Sequence, residues 1–354
     1  MRKSIIDVTD TKILEAIYQR RCLSGVQVNE YILEKDKHDR TGHYRLKKLV
    51  NSEYLEKTNI FGYSPNGKHR LMCKAYQLTR KGYNLLAEKG AELESDYLRP
   101  LPPKQAKTRL TINEIILQMI KERTINPEKI YDSSRGKKLL NLSWSVPLHM
   151  LAELPNGTYA AAYVAEEFHM ITHTANLPAL VNEATDRIKT YLWLYTQEEP
   201  YKQARDYFTL HPPAQDFRVL RLERGVEVLK RLLKGEEKEE LKAKTERILV
   251  EKRAHKEVCL EPNPTGLGWV DKSGVYYVWD YSTGNTSIPS RVLRHDPVNN
   301  QSVGLPTGVY VLCANREDME YISGIAGAKR GVRYIDLATD EILANEQTGL
   351  IKLA

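Results

Sequence analysis

Apolar positions recur at helical spacing from the start of the chain. Ile13, Leu14 and Ile17 form one stripe, which predicts a helix over 11–22 with Asp10 as its N-cap. Ser24 followed by Gln27 is a capping-box pair, and Val28, Tyr31 and Ile32 give the next helix, over 25–34, its buried side. A third helix over 40–51 carries Leu46, Leu49 and Val50 inward. Two strand-like runs then flank Ser64-Pro65-Asn66-Gly67, a β-hairpin pattern. Thr79 starts a fourth helix that Gly90 closes. Three helices, a hairpin and a closing helix predict a winged helix-turn-helix over residues 1–95.

The polar side of the third helix carries the chemistry. Thr41, Tyr44, Arg45 and Lys48 share one outward stripe, flanked by His43 and Lys47. Such a face suits a DNA major groove, where arginine bonds guanine bidentately and lysine or tyrosine reaches phosphate. This reading makes Arg45 and Lys48 the principal sequence-reading pair. Lys68, His69 and Arg70 fall at the hairpin tip, where a wing meets the DNA backbone. Charge agrees with the placement. The first ninety residues hold 18 Lys and Arg against 10 Asp and Glu, whereas the remainder holds 35 against 36. A polyanion-binding module joined to a neutral body has this asymmetry.

Beyond it, Pro100, Pro102 and Pro103 mark a stiff linker at 96–107. Thr111 with Glu114 repeats the capping-box pattern for a helix over 108–122, opening an α/β domain expected at 108–256. Its strands are expected at 141–150 and 158–168, around Leu154-Pro155-Asn156-Gly157. A helix at 177–196, a strand at 217–220 and a charged helix at 224–253 complete it, which describes a mixed sheet. Alternating aromatic and aliphatic residues at 275–280 and 309–313 predict strands in a small β-rich C-terminal region, 257–354.

Several segments together resemble the replication-relaxation proteins of plasmids and mobile elements. They are residues 11–18 (TKILEAIY), 45–50 (RLKKLV), 76–82 (YQLTRKG), 154–157 (LPNG), 163–167 (YVAEE) and 189–195 (KTYLWLY). The resemblance spans roughly residues 9–235. It implies a winged helix joined to a restriction-endonuclease-like α/β domain. Nucleases of that fold need convergent carboxylates on a metal and an acidic-x-Lys triplet. Here Asn156 stands where the first acid is expected. Glu166 and Glu167 are followed by Phe168 and His169 rather than lysine, and Lys189 is the nearest substitute. The catalytic set therefore reads as degenerate. His169 and His173, at i and i+4 after Glu166, are a weaker metal-binding pair.

Other enzyme classes lose ground on motif. The chain has no GxxxxGK[ST] phosphate loop, no GxSxG elbow and no His-apolar-His triplet. No cofactor is expected. No run of apolar residues reaches the ~18 that a membrane helix needs. Charged and polar residues interrupt the N-terminus too early for a secretory leader, and four scattered cysteines suit a reducing cytoplasm. The expected function is that of a sequence-selective, double-stranded-DNA-binding accessory protein in plasmid or mobile-element replication or transfer. A homodimer that recruits replication or transfer proteins is expected, with a non-catalytic α/β scaffold. An operator-binding transcriptional regulator and a metal-dependent nuclease are the alternatives.

Overall fold

Asp7, one turn before the expected cap, starts the first helix, α1 (Val8–Arg20). Its carboxylate accepts from the Asp10 amide at 2.8 Å, and the Asp10 side chain accepts in return from the Asp7 amide. Asp10 is thus the third residue of a capping box, and its acid is fully buried. The computed structural model describes residues 6–352, apart from 64–68, 92, 94–99, 124, 169–176, 178–179, 184–185, 215, 236, 253–256, 264–267, 327–330 and 347–348. These form two units, 1–132 and 133–354, and the fold is mixed α/β with three sheets.

In the first unit a short strand, β1 (Leu23–Ser24), leads into α2 (Gly25–Gln27), capped by the Ser24–Gln27 box as expected. The helix widens into a π-turn over Val28–Ile32. Next come α3 (Thr41–Asn51), the hairpin strands β2 (Leu55–Tyr63) and β3 (His69–Leu78), and α4 (Arg80–Glu88). Thr79 caps α4 by accepting from the Gly82 amide, as its sequence position predicts. A Cβ on Gly82 would lie 2.3 Å from the Tyr54 carbonyl oxygen, so only glycine lets the helix approach there. The sheet runs β1-β3-β2, antiparallel throughout, with a bulge between Ile60 and Phe61 that leaves Met72 without an opposite number. Ile13, Leu14, Ile17, Leu46, Leu49 and Leu86 are fully enclosed in its core.

The expected linker is largely helix. Pro102 and Pro103 sit at the start of α5 (Pro103–Lys121), where a missing amide hydrogen costs nothing. Thr111 is interior to α5, its hydroxyl bonding the Lys107 carbonyl, so it caps nothing. Rather than opening the α/β domain, α5 belongs to the first unit. Ala106 and Leu110 pack with Cys22, Ile60 and Ala75, and Leu117 joins the main core. Asn113 donates to the carbonyls of Arg20 and Cys22, and Gln27 donates to that of Leu110. A strand, β4 (Ile130–Asp132), ends this unit.

The second unit opens with α6 (Ser133–Leu140). The hairpin around residues 154–157 joins β5 (Met150–Glu153) to β6 (Tyr159–Ala165), with 141–149 outside the strand. The segment expected to end a helix is instead β7 (Ile188–Tyr195), parallel to β6. It is buried on both faces except at Lys189, and such a strand shows a near-continuous apolar run with no period-2 signal. After α7 (Glu198–Leu210), β8 (Phe217–Arg221) pairs parallel with β7. The single charged helix expected next is two, α8 (Leu222–Lys234) and α9 (Glu237–Glu251), separated at Gly235 with φ 71°.

The C-terminal region is α/β rather than β alone. Its strands are β9 (Leu260–Pro262), β10 (Gly268–Asp271), β11 (Tyr276–Asp280), β12 (Gly308–Cys313), β13 (Val332–Asp336), β14 (Glu341–Glu346) and β15 (Gly349–Lys352), side by side in chain order. Strands β11, β12 and β13 are parallel, and the remaining pairs are antiparallel. Helices α10 (Ser287–Arg294), α11 (Pro297–Ser302) and α12 (Arg316–Ala326) provide the crossovers. Ile288, Val292, Met319 and Ile322 cover one sheet face, and Ile248 and Leu249 of α9 cover the other. This sheet shares its unit with β5–β8: Arg224 of α8 pairs with Asp318 of α12 at 2.6 Å.

Candidate nucleic-acid interface

Helix α3 is held by its first turn. The Asp39 carboxylate accepts from the Thr41 amide at 2.6 Å. The fully buried Asn29 accepts from the Gly42 amide at 2.8 Å and donates to the Asp39 carbonyl. A Cβ on Gly42 would meet Asn29 Oδ1 at 2.1 Å, so this close approach requires glycine. Leu46 and Leu49 then fix the helix rotation by complete burial.

That rotation splits the expected reading stripe in two. On one side Arg45 Nη1 lies 2.9 Å from Asp7 and 2.8 Å from Asp10, and Lys48 Nζ lies 2.6 Å from Asp10. Both cations therefore neutralise carboxylates of α1. On the other side Thr41, His43, Tyr44 and Lys47 are exposed, Tyr44 to 66 %. His43, Tyr44 and Lys47 line an open groove of about 780 Å³ together with Lys57 of β2 and Lys74 of β3. The turn before α3 adds Lys37 and Arg40. The one carboxylate among the described lining residues is Asp39, already engaged by Thr41. A groove with this cation excess concentrates positive potential along α3.

Lys57 and Lys74 escaped the sequence reading. Their signal is strand alternation: with Lys57 opposite Tyr76 and Asn59 opposite Lys74, both lysines fall on one face of the hairpin. At the expected tip, Lys68 and the turn at residues 64–67 lie outside the described residues. His69 begins β3, and Arg70 is exposed opposite Gly62.

The nuclease-like positions do not converge. Asn156 sits in the turn before β6, accepting from the amide and hydroxyl of Thr158, and the exposed Lys189 is the second residue of β7. Glu166 and Glu167 follow the far end of β6. Because β6 and β7 run parallel, roughly 20 Å of strand separates the two glutamates from Asn156 and Lys189. His169 and His173 lie outside the described residues. Among the described residues no group of three or more His, Cys, Asp or Glu could hold a metal ion, the four cysteines are unbridged, and no helix is long and apolar enough to cross a membrane.

The α1–α3 contacts carry a pH signature. The Arg45 guanidinium holds the Asp7 carboxyl below its ordinary value of 3.8, and Thr41 does the same for Asp39. A carboxyl depressed by folding stabilises fully above its unfolded value, and that stabilisation is lost as pH falls through the folded one. The melting temperature of the first unit is expected to drop as pH falls from about 5 to about 2. Asp7→Asn should flatten that drop in a circular-dichroism melt series; an unchanged profile would remove Asp7 from the account.

Set against known protein families, curated proteins and solved structures, the chain matches none.

Proposed function

We propose that the first unit is a winged helix-turn-helix that binds double-stranded DNA. Helix α3 enters the major groove and the β2–β3 hairpin serves as the wing. The observation that carries this reading is the cationic groove between α3 and the hairpin, in a chain whose excess positive charge is confined to its first ninety residues. Tyr44 and His43 are the base-facing side chains, and Lys47, Lys57 and Lys74 contact phosphate. Arg45 and Lys48 orient α3 through Asp7 and Asp10. The chain acts as a homodimeric accessory protein of plasmid or mobile-element replication or transfer, similar to replication-relaxation proteins. The second unit is a restriction-endonuclease-like scaffold whose dispersed acids favour a structural role over cleavage.

The test is fluorescence anisotropy of the full chain on duplexes from its own gene region, across a salt series. Tyr44→Ala should weaken the preferred duplex at least tenfold and spare bulk DNA. Lys57→Ala with Lys74→Ala should weaken every duplex and flatten the slope of log K against log salt by about two. Wild-type slopes in the lysine pair, or no duplex binding by the parent chain, would refute the reading.

A further inference from the structure

We infer that a second ligand site, in the C-terminal sheet, takes a nucleoside monophosphate unit, either free or as an unpaired nucleotide of a single strand. The site is a cavity of about 370 Å³ above the α10 side of β11, and it stands independently of the α3 groove. Its size suits one nucleotide.

Side chains alternate between the two sheet faces along β11. Tyr277 and Trp279, two residues apart, project to the same sheet face and stack at 5.7 Å with an interplanar angle of 22°. Trp279 is 6 % exposed and braces the stack, while Tyr277 is half-buried and offers its ring to the cavity. An aromatic face of this kind accepts a base of any sequence.

Two cations stand at the same opening. Arg291 and Arg294 lie three apart on α10, so both reach one rim. Among the described residues lining the cavity there is no carboxylate. Arg294 bonds Ser290 of its own helix, through both the carbonyl and the hydroxyl. Burial and the charge of Arg294 push the Arg291 guanidinium below its ordinary pKa, a strain that a bound phosphate relieves.

Two amides complete the lining, the buried Asn263 and the half-buried Asn300. Asn300 is held in place: its amide group donates to the Pro306 carbonyl at 2.9 Å and meets His295 Nδ1 at 3.2 Å. His295 Nε2 lies 2.9 Å from the Thr307 carbonyl and must donate to it, so Nδ1 is the acceptor for Asn300. A stacking ring, a fixed amide and paired arginines without an acid are the parts that recognise base and phosphate together.

The experiment is isothermal titration of the full chain with dAMP, deoxyadenosine, inorganic phosphate and an unstructured dT8 oligonucleotide. Either dAMP or dT8 should bind, each more tightly than phosphate or deoxyadenosine. Tighter binding of dAMP points to a free nucleotide as ligand, and tighter binding of dT8 to a single strand. Arg291→Gln with Arg294→Gln and, separately, Tyr277→Ala should each weaken the bound ligand about tenfold, with Tyr277→Phe retaining it. Unchanged melting temperatures certify the folds. Binding of duplex DNA through α3 should be unaffected by all these variants, so failure here leaves the α3 reading intact. No binding of dAMP or dT8 at millimolar concentration overturns the site, as does phosphate binding as tightly as dAMP. Affinity indifferent to the arginine pair and to Tyr277→Ala does so too.

Discussion

Replacing Arg45 and Lys48 together by alanine should destabilise the first unit by about 2–4 kcal/mol, before any DNA is added. The Asp10 carboxylate is fully buried, and these two side chains are its cationic partners in the structure. Removing the partners of a buried charge costs about 3–5 kcal/mol when the whole pair is enclosed. The loss here is smaller because Arg45 and Lys48 remain 27 % and 36 % exposed, so solvent already screens part of the attraction. Urea denaturation followed by circular dichroism reads the loss directly. Adding Asp10→Asn should recover most of it, because a neutral amide has no charge to strand. The double variant's DNA affinity should fall only as far as its folded fraction falls. A double variant that melts like the parent chain and still loses duplex binding would return Arg45 and Lys48 to the reading face.

A fragment ending at residue 95 should fail to fold, whereas one ending at 132 should unfold cooperatively. The difference is α5. Leu110 and Leu117 each bury a side chain worth about 1.5–3 kcal/mol. Without α5, the buried Gln27 loses its acceptors at Leu110 and Glu114, and the Arg20 and Cys22 carbonyls lose Asn113. Tyr31 also loses Glu114, which accepts its hydroxyl at 2.5 Å. Each of these bonds exchanged for one to water costs about 0.5–1.5 kcal/mol. The sum exceeds about 5 kcal/mol, the lower end of whole-domain stability. Far-ultraviolet circular dichroism and amide exchange on the two fragments decide it. Equal melting of both would mean that α5 is an appendage.

Local chemistry was the most legible part of this sequence. The Ser24–Gln27 box, the Thr79 cap and the turn at residues 154–157 involve neighbours within a few positions, and all three formed. Two caps were misplaced, at Asp10 and Thr111, and the larger failures depended on partners far along the chain. The α3 stripe showed which residues point outward but not that Asp7 and Asp10, some 35 residues earlier, would meet half of them. Strand β7 spaced its apolar residues like a helix because burial on both faces erased the alternation that marks a strand. The proline-rich segment read as a linker since prolines also suit a helix's first turn. The groove lysines of the hairpin needed its register, which a single strand does not reveal.

The bulge at Met72 has a bearing on how the hairpin can change length. Inside it, Ile60, Cys73 and Ala75 anchor the ladder against α5. Outside it, Phe61 faces Leu71 and Gly62 faces Arg70, on a segment whose twist the bulge sets separately. Two residues added to each strand beyond Phe61 and Leu71 keep every existing side chain on its present face. A single added residue turns all those beyond it over. Natural or engineered diversity in this hairpin should therefore accumulate in even steps outside the bulge, leaving Lys57 and Lys74 undisturbed.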